Sequence, residues 1–270
     1  MGSHGLLDGI PAALWRMVAL ARRRLLMLDY DGTLAPLTLD RRDAAPQPRS
    51  LELVRRIADL EHTAIAIVSG RPLHEVEARL GTLRATIVGE HGREWRGPNG
   101  EIARKPLEES LLRALEAAER RAGEFGWSDL IERKRSAIVL HTRALPAPLA
   151  LEVETRGLSV WGVLAAEARM RLDRISGGIE LRSVEPNKGT VVHSLMARVE
   201  PGVLGVFVGD DVSDEDAFEA VKDWGFGVRV GDTDAPSIAQ GRLPSTDAVP
   251  EFLQEWLRLT GRRNSGEEPV

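Results

Sequence analysis

Arg24 opens the apolar run Leu25-Leu26-Met27-Leu28, which breaks at once into Asp29-Tyr30-Asp31-Gly32-Thr33. A short apolar run without alternation is the pattern of a strand buried on both faces, as in a parallel sheet. The acidic residues and glycine that follow mark a loop at the strand's carboxyl end. Two carboxylates at i and i+2 can point to one side of such a loop, and Gly32 permits a tight turn there. A phosphoryl group under attack needs an anionic nucleophile, a proton donor for the leaving alkoxide, and a cation to offset the crowded negative charge. One Asp can attack, the other can shuttle the proton, and both can contribute oxygen ligands to Mg²⁺. An acidic turn without chemistry would use the same residue types. The position directly after an apolar strand favours the catalytic reading.

Outward from this stretch the same alternation repeats. Residues 35–48, with three prolines and mixed charge, read as a loop or flap. Ser50 is expected to cap a helix carrying Leu51, Val54, Ile57 and Ala58. Thr63 to Val68 reads as a second buried strand, and a helix follows Pro72, with Val76 and Leu80 on one face and Gly81 ending it. Ala85 to Val88 makes a third strand. Strand–helix alternation of this kind predicts a doubly wound parallel sheet with its ligand site at the strands' carboxyl ends.

The pattern changes after the turn signal Gly97-Pro98-Asn99-Gly100. Pro106 to Glu124 reads as one long helix, and Ile131 to Arg143 as an antiparallel strand centred on Ile138, Val139 and Leu140. Helical character covers roughly Ala147 to Met170, with Gly157 and Gly162 weighing against a single helix. Arg171 to Ile175 and Ile179 to Val184 flank the hairpin signal Ser176-Gly177-Gly178. Alternation resumes with a helix at Thr190 to Val199, a strand at Gly205 to Val208, a helix at Ser213 to Val221, a strand at Gly227 to Val230 and a closing helix at Val249 to Leu259. The expected architecture is an α/β, doubly wound parallel-sheet core, residues 1–103 and 185–270, with an inserted α+β cap at 104–184. The tail from Gly261 to Val270 is polar and expected to fray, and Met1 to His4 is set aside.

Composition narrows the functional classes. The chain has 270 residues, 43% hydrophobic and 29% charged, as expected of a globular protein with a substantial core. A net charge of −5 supplies no global basic field for nucleic acid or anionic lipid. The single tyrosine, five phenylalanines and six tryptophans do not interleave with basic clusters as a base-stacking platform would. With no cysteine, disulfides, zinc–thiolate sites and thiol catalysis are excluded, which fits a reducing cytoplasm. No apolar run approaches the ~18 residues of a membrane span.

Three further motifs fall at strand ends or helix starts. Val68-Ser69-Gly70-Arg71 leaves a strand and enters a helix, where a hydroxyl, backbone N–H groups and a helix N-terminus can seat a phosphate. Lys188, in Pro186-Asn187-Lys188-Gly189-Thr190, opens a helix and can supply a point charge to a carboxylate and to phosphoryl oxygens. After Gly209, Asp210 to Asp216 crowds five carboxylates into seven positions, which repel unless a cation or helix dipole offsets them. Asp210, nearest the strand end, is the best third metal ligand, and Asp214 to Asp216 read as helix-capping residues.

The order strand-Asp-x-Asp, strand-Ser, helix-start Lys and strand-Gly-Asp-Asp resembles the four successive motifs of the haloacid dehalogenase superfamily of phosphohydrolases. The resemblance covers roughly residues 20–96 and 185–258. It implies Asp29 as nucleophile, Asp31 as general acid and then base, and Thr33, Ser69, Gly70 and Lys188 around the phosphate. It also implies Mg²⁺ held by Asp29, the Asp31 backbone carbonyl and Asp210. More narrowly, the chain resembles the trehalose-6-phosphate phosphatase family in Asp29 to Pro36, Ser69-Gly70-Arg71-Pro72, Gly89-Glu90-His91-Gly92, Glu132-Arg133-Lys134, Leu140-His141-Thr142-Arg143, Glu180-Leu181-Arg182 and Gly209 to Phe218. That resemblance implies Glu132, Lys134 and Glu180 on the distal glucose, Arg71 and His91 lining the core–cap interface, and Arg182 among the sugar-binding residues.

Carboxylates and an ammonium group can together accept from and donate to several sugar hydroxyls. The charged strand Glu132 to Arg135 would also serve as a solvated face. Ser183 stands where the family usually has Pro, Ser213 replaces Thr, and Leu145 to Arg174 matches no family motif. Other capped phosphatases, acting on sucrose phosphate, glucosylglycerol phosphate or mannosyl-3-phosphoglycerate, stay open on the residues alone. So do a sugar-phosphate mutase and a non-catalytic binding module. The expected small-molecule partner is a sugar phosphate, not nucleic acid or membrane. Any trehalose-phosphate synthase partner would be a separate protein, and the chain is expected to be a monomer.

Overall fold

The apolar run of residues 24–28 is strand β1 (Arg24–Asp29), buried along its whole length. The computed structural model describes residues 3–232 and 234–261. The expected fraying of 262–270 therefore lies outside the described residues, while Gly261 ends the last helix. Helix α1 (Ala12–Leu20) precedes β1, and α2 (Pro48–Ala58), β2 (Thr63–Val68), α3 (Leu73–Leu80) and β3 (Thr86–Gly89) follow it. Ser50 does not cap α2. The helix starts earlier, at Pro48, whose missing N–H would be unpaired in a first turn anyway, and Ser50 is buried inside it.

Two short strands, β4 (Glu94–Arg96) and β5 (Ile102–Arg104), form a hairpin around the Gly97–Gly100 turn and extend the core sheet antiparallel. Helix α4 (Glu109–Glu124) begins three residues later than expected. Residues 131–143 are not one strand but a hairpin, β6 (Ile131–Arg133) and β7 (Ala137–His141). Helix α5 (Ala147–Ala168) is continuous through both glycines. Gly157 is there for packing, since a Cβ would overlap Ile179 and crowd Leu140, and Gly162 faces open space. Strands β8 (Met170–Ile175) and β9 (Gly178–Ser183) form the expected hairpin. The core resumes with α6 (Lys188–Met196), β10 (Leu204–Gly209), α7 (Val212–Val221), β11 (Gly225–Val230), β12 (Gly241–Leu243) and α8 (Val249–Gly261). Helix α1 and strand β12 carried no sequence expectation.

The larger sheet has the order β12-β11-β10-β1-β2-β3-β4-β5, parallel from β12 to β3. The chain order reverses at β1, which lies between β10 and β2, and ligand crevices form at such switch points. Alternate residues of β1 divide between two apolar layers. Leu26 and Leu28 pack with α1, α2, α3 and α8, whereas Leu25 and Met27 pack with α6 and α7. Each such side chain, fully buried, contributes roughly 1.5–3 kcal/mol.

The smaller sheet, β6-β7-β9-β8, is antiparallel and has one face covered by α4 and α5. Ile138, Leu140, Ile179 and Leu181 point into that layer, where Trp161 of α5 donates to the Ala118 carbonyl of α4 at 3.2 Å. Period-2 alternation then sends Val139 and Glu180 to the opposite face. Register aligns Glu132 with Val139, Val139 with Glu180, and Glu180 with Asp173, so a row of charged residues crosses the face turned away from these helices. The protein is thus a doubly wound α/β core with an inserted α+β cap. No helix among the described residues is long and apolar enough to cross a membrane.

Candidate active site

Asp29 is the last residue of β1 and Lys188 the first of α6, 159 positions away, yet Lys188 Nζ lies 2.7 Å from Asp29 Oδ1. Both side chains are buried. Burial pushes the Asp29 carboxyl up to about 8 against the pull of Lys188, with Asp214 and Asp31 adding repulsion. Burial alone would lower Lys188, but Asp214 and Asp29 outweigh it and hold the ammonium above its ordinary value.

Sequence alone gives Asp214 a capping role, and the structure gives it more to do. It sits in a capping box with the N-cap Asp211. It is fully buried, accepts the Asp210 and Asp211 N–H groups at 3.0 and 2.9 Å, and receives Lys188 Nζ at 2.6 Å. The available signal was its position at the third residue of a helix, from which a carboxylate turns back over the preceding loop. Its acidic neighbours have different partners. Glu215 pairs with Arg229 at 2.8 Å, and Asp216 with Arg171 of the cap at 2.7 Å.

Asp29, Asp210 and Asp214 each offer an oxygen within 4.8 Å of the others. Burial, then Asp29 and Asp214, push the Asp210 carboxyl well above its usual range. Asp210 Oδ1 is buried and has no hydrogen-bond partner among the described residues. Gly32, at φ 75°, is what lets Asp210 approach, because a Cβ there would overlap its carboxylate. Crowded hard oxygens with an orphaned acceptor fit a small divalent cation such as Mg²⁺. The expected ligands Asp29 and Asp210 are therefore together. The Asp31 carboxylate is elsewhere, forked by Arg71, with Nε to Oδ2 at 2.7 Å and Nη2 to Oδ1 at 2.6 Å. Only its backbone carbonyl remains as the group that the resemblance implies.

Ser69 follows β2, is buried, and its Oγ accepts the Arg71 N–H at 3.1 Å. Thr33 is buried and its Oγ1 has no partner among the described residues. The cleft between core and cap is lined by Asp29, Asp31, Gly70, Arg71, Lys188 and Asp210 from the core. Leu37, Thr38 and Ala44 of the 35–48 loop join them. From the cap side come Glu132, Lys134 and Glu180, with the core's His91 among them. Thr33, Ser69 and Arg182 are not in the lining. Arg182 is buried behind it, 3.3 Å from Asp173 and 3.9 Å from Glu180, so it supports the charged row.

Within that row Lys134 Nζ meets Glu180 Oε1 at 2.7 Å, and Glu132 Oε2 meets His141 Nε2 at 2.8 Å. His141 and Arg143, quoted above only as motif residues, also line the cleft. His91 Nε2 lies 3.3 Å from Glu180 Oε2, a contact not aligned as a hydrogen bond. Burial outweighs this carboxylate and pushes His91 down to about 4, so the ring is neutral near pH 7.

The linkage sign follows from that depressed value. The unfolded chain, with an ordinary histidine near 6.5, binds the extra proton between pH 6.5 and about 4. The stability that His91 confers is thus fully present above about pH 6.5 and is lost as pH falls toward 4, amounting to about 3 kcal/mol. His91→Asn, which tolerates the left-handed backbone, is expected to narrow the gap between melting temperatures at pH 7 and pH 4.5. An undiminished gap would show that other groups carry the acid sensitivity.

An Asp at a strand end, a buried lysine across the switch point and a carboxylate nest under a cap are the arrangement that the haloacid dehalogenase resemblance implies. The family model described as trehalose-phosphatase matches residues 27–246. A probable trehalose-phosphate phosphatase of Sinorhizobium fredii is 31% identical over 233 residues, covering 83% of this chain and 84% of that protein. The chain belongs to the trehalose-phosphatase family. A bifunctional trehalose-6-phosphate synthase/phosphatase of Thermoproteus tenax is 30% identical over 88% of this chain, which spans 32% of that longer protein. In fold, the chain is similar to the C-terminal domain of C. albicans trehalose-6-phosphate phosphatase, with a TM-score of 0.80 and 22% identity. That alignment covers 92% of this chain and 96% of the other.

Proposed function

We propose that the protein hydrolyses trehalose 6-phosphate to trehalose and inorganic phosphate through an aspartyl-phosphate on Asp29. The observation that carries this reading is a single cleft. It has the buried Asp29–Lys188 pair at its floor and the row Glu132, Lys134 and Glu180 on its cap side. Among the described residues, those up to Arg104, the last of β5, and those from 185 onward serve as core, with 105–184 as cap, so the cap begins one residue later than the sequence suggests.

Asp29 attacks phosphorus, forming the carboxyl–phosphate bond as the bond to the sugar oxygen breaks. Lys188 holds the attacking carboxylate in place and faces the phosphoryl charge. Asp31 gives its proton to the departing sugar oxygen and then takes one from the water that opens the aspartyl-phosphate. Both Asp31 oxygens are held by Arg71, so the proton-transfer role has Asp31 turn off this fork when the ester is seated. Gly70 faces the phosphate, and Ser69 and Thr33, buried just outside the lining, come to it through their hydroxyls when the ester is seated. Asp29, Asp210 and the Asp31 carbonyl would hold Mg²⁺, which when bound supplies charge neutralisation and phosphoryl polarisation. Lys134 and Glu180 exchange their mutual contact, and Glu132 its contact with His141, for the hydroxyls of the distal glucose, and the cap excludes water. The substrate comes from a trehalose-phosphate synthase acting in the same reducing cytoplasm.

A phosphate-release screen tests the reading. Trehalose 6-phosphate is expected to be the best substrate against sucrose phosphate, glucosylglycerol phosphate and mannosyl-3-phosphoglycerate. A background rate with trehalose 6-phosphate alone would overturn it, and an isomeric sugar phosphate in place of free phosphate would identify a mutase. Chelating divalent ions is expected to reduce turnover to background, with Mg²⁺ restoring it. Full activity after exhaustive chelation would remove the metal from the proposal.

A further inference from the structure

We propose that Glu90 is a positioning residue that registers the cap on the core, setting Lys134 and Glu180 at the sugar end of the cleft. The inference rests on the sugar-phosphate reading of that site, in which the family resemblance singles out His91 but gives Glu90 no role. Glu90 and its neighbour His91 are both left-handed, at φ 45° and 55°, a conformation unusual for residues other than glycine. What holds them is the phosphate loop. The Glu90 N–H donates to the Arg71 carbonyl at 2.8 Å and the His91 N–H to the Ser69 carbonyl at 3.1 Å. Strain maintained in this way marks a segment whose direction matters.

That direction carries the buried Glu90 carboxylate across to the cap. Oε1 accepts the Arg135 N–H at 3.1 Å, and Oε2 accepts the Ser136 hydroxyl at 3.0 Å. Residues 134–136 connect β6 to β7 and contain none of the glycine, asparagine or proline that usually shape a tight turn. A core carboxylate supplies the missing turn chemistry. Lys134 closes the same turn through its N–H to the Ala137 carbonyl at 2.9 Å and reaches Glu180 with its ammonium at 2.7 Å. His91 in turn packs on Gly70, where a Cβ would overlap the ring, and lies 3.3 Å from Glu180. One strained dipeptide therefore contacts the phosphate loop on one side and, on the other, the turn that carries Lys134 and the carboxylate of Glu180.

The cleft, partly open to solvent, holds about 150 Å³, below the ~300 Å³ at the lower end for ligand pockets. A cap that lifts to admit a disaccharide phosphate has to reseat afterwards. Reseating to within hydrogen-bond tolerance needs a fixed reference on the core, and Glu90 provides it. The separate Arg171–Asp216 pair keeps the cap tethered without Glu90. Loss of Glu90 thus disturbs register, not attachment.

The test compares Glu90→Ala, Ser136→Ala and the double variant on trehalose 6-phosphate and on p-nitrophenyl phosphate, which reaches the phosphate site without the cap. Glu90→Ala is expected to raise KM for trehalose 6-phosphate about tenfold, with kcat and turnover of p-nitrophenyl phosphate within twofold of the parent. Ser136→Ala, altered on the cap side, is expected to raise KM about threefold, and the double variant no further than Glu90→Ala. Glu90→Gln, which keeps an acceptor oxygen, should restore part of the loss. Hydrogen exchange of the Arg135 amide should accelerate at least tenfold in Glu90→Ala. If Glu90→Ala does not fold, Ser136→Ala and Glu90→Gln decide alone. Unchanged KM with unchanged Arg135 protection overturns the proposal, as does an equal loss on both substrates. A parent enzyme active on p-nitrophenyl phosphate but not on trehalose 6-phosphate overturns only the substrate reading, and Arg135 exchange still tests the register.

Discussion

Replacing Asp29 with asparagine is expected to lower phosphate release from trehalose 6-phosphate by at least ~10³-fold, the scale on which loss of a covalent nucleophile is felt. Asparagine matches the carboxylate in shape and keeps an oxygen for Lys188, whose ammonium stands 2.7 Å away. The fold should therefore survive. The variant also removes one member of the buried cluster Asp29, Asp210 and Asp214, so its melting temperature should equal or exceed the parent's without added metal. Acid-quenched protein exposed to ³²P-labelled substrate should carry covalent phosphate in the parent and none in the variant. Turnover within threefold of the parent would mean that Asp29 is not the nucleophile.

Lys188→Met is expected to lower both activity and stability. The ammonium is the shared counter-charge of Asp29 and Asp214, at 2.7 and 2.6 Å, and all three side chains are buried. Removing one partner of a buried ion pair costs about 3–5 kcal/mol because the remaining charge is stranded. At roughly 2–4 °C per kcal/mol for a chain of this size, the melting temperature should fall by about 10 °C. Turnover should fall by ~10²–10³, since a preorganised charge beside the phosphoryl group is lost and Asp29 is left harder to ionise. Metal-free thermal melts and initial rates measure the two effects separately. A stable, fully active variant would show that Lys188 is a bystander.

Which of these features the sequence discloses depends on how local their causes are. Asp29, Ser69 and Asp210 stand where apolar strands stop, and strand ends can be read from a run of a few residues. Lys188 is in itself an unremarkable lysine, and only its place among the other motifs identifies it. The second role of Asp214 stayed hidden because its ionic partner is 26 positions away, whereas helix capping explains it locally. Glu90 stayed hidden for a similar reason, its carboxylate acting on residues 45 and 46 positions further along. The hairpin within 131–143 reads as one strand because its turn has no glycine, asparagine or proline and is hydrogen-bonded by Glu90 from the core. Strands β4 and β5 were too short, at three residues each, for any period to show. The two glycines of α5 argued for a break on propensity, and packing against Ile179 and Leu140 decided otherwise at Gly157.

Strand β1 has β2 on one edge and β10 on the other. Its first neighbour is made soon after it on the ribosome, but its second arrives only after the entire cap and α6 have emerged. Until then a strand with the apolar centre Leu25 to Leu28 presents an open row of backbone donors and acceptors, the arrangement that recruits foreign strands. At synthesis rates of ≈ 5–20 residues per second that exposure lasts on the order of ten seconds. The same order of elements that brings Asp29 and Lys188 together from 159 positions apart thus makes the protein's early life its most aggregation-prone period. Fragments ending before residue 204 should accumulate as insoluble material, whatever the quality of their own packing.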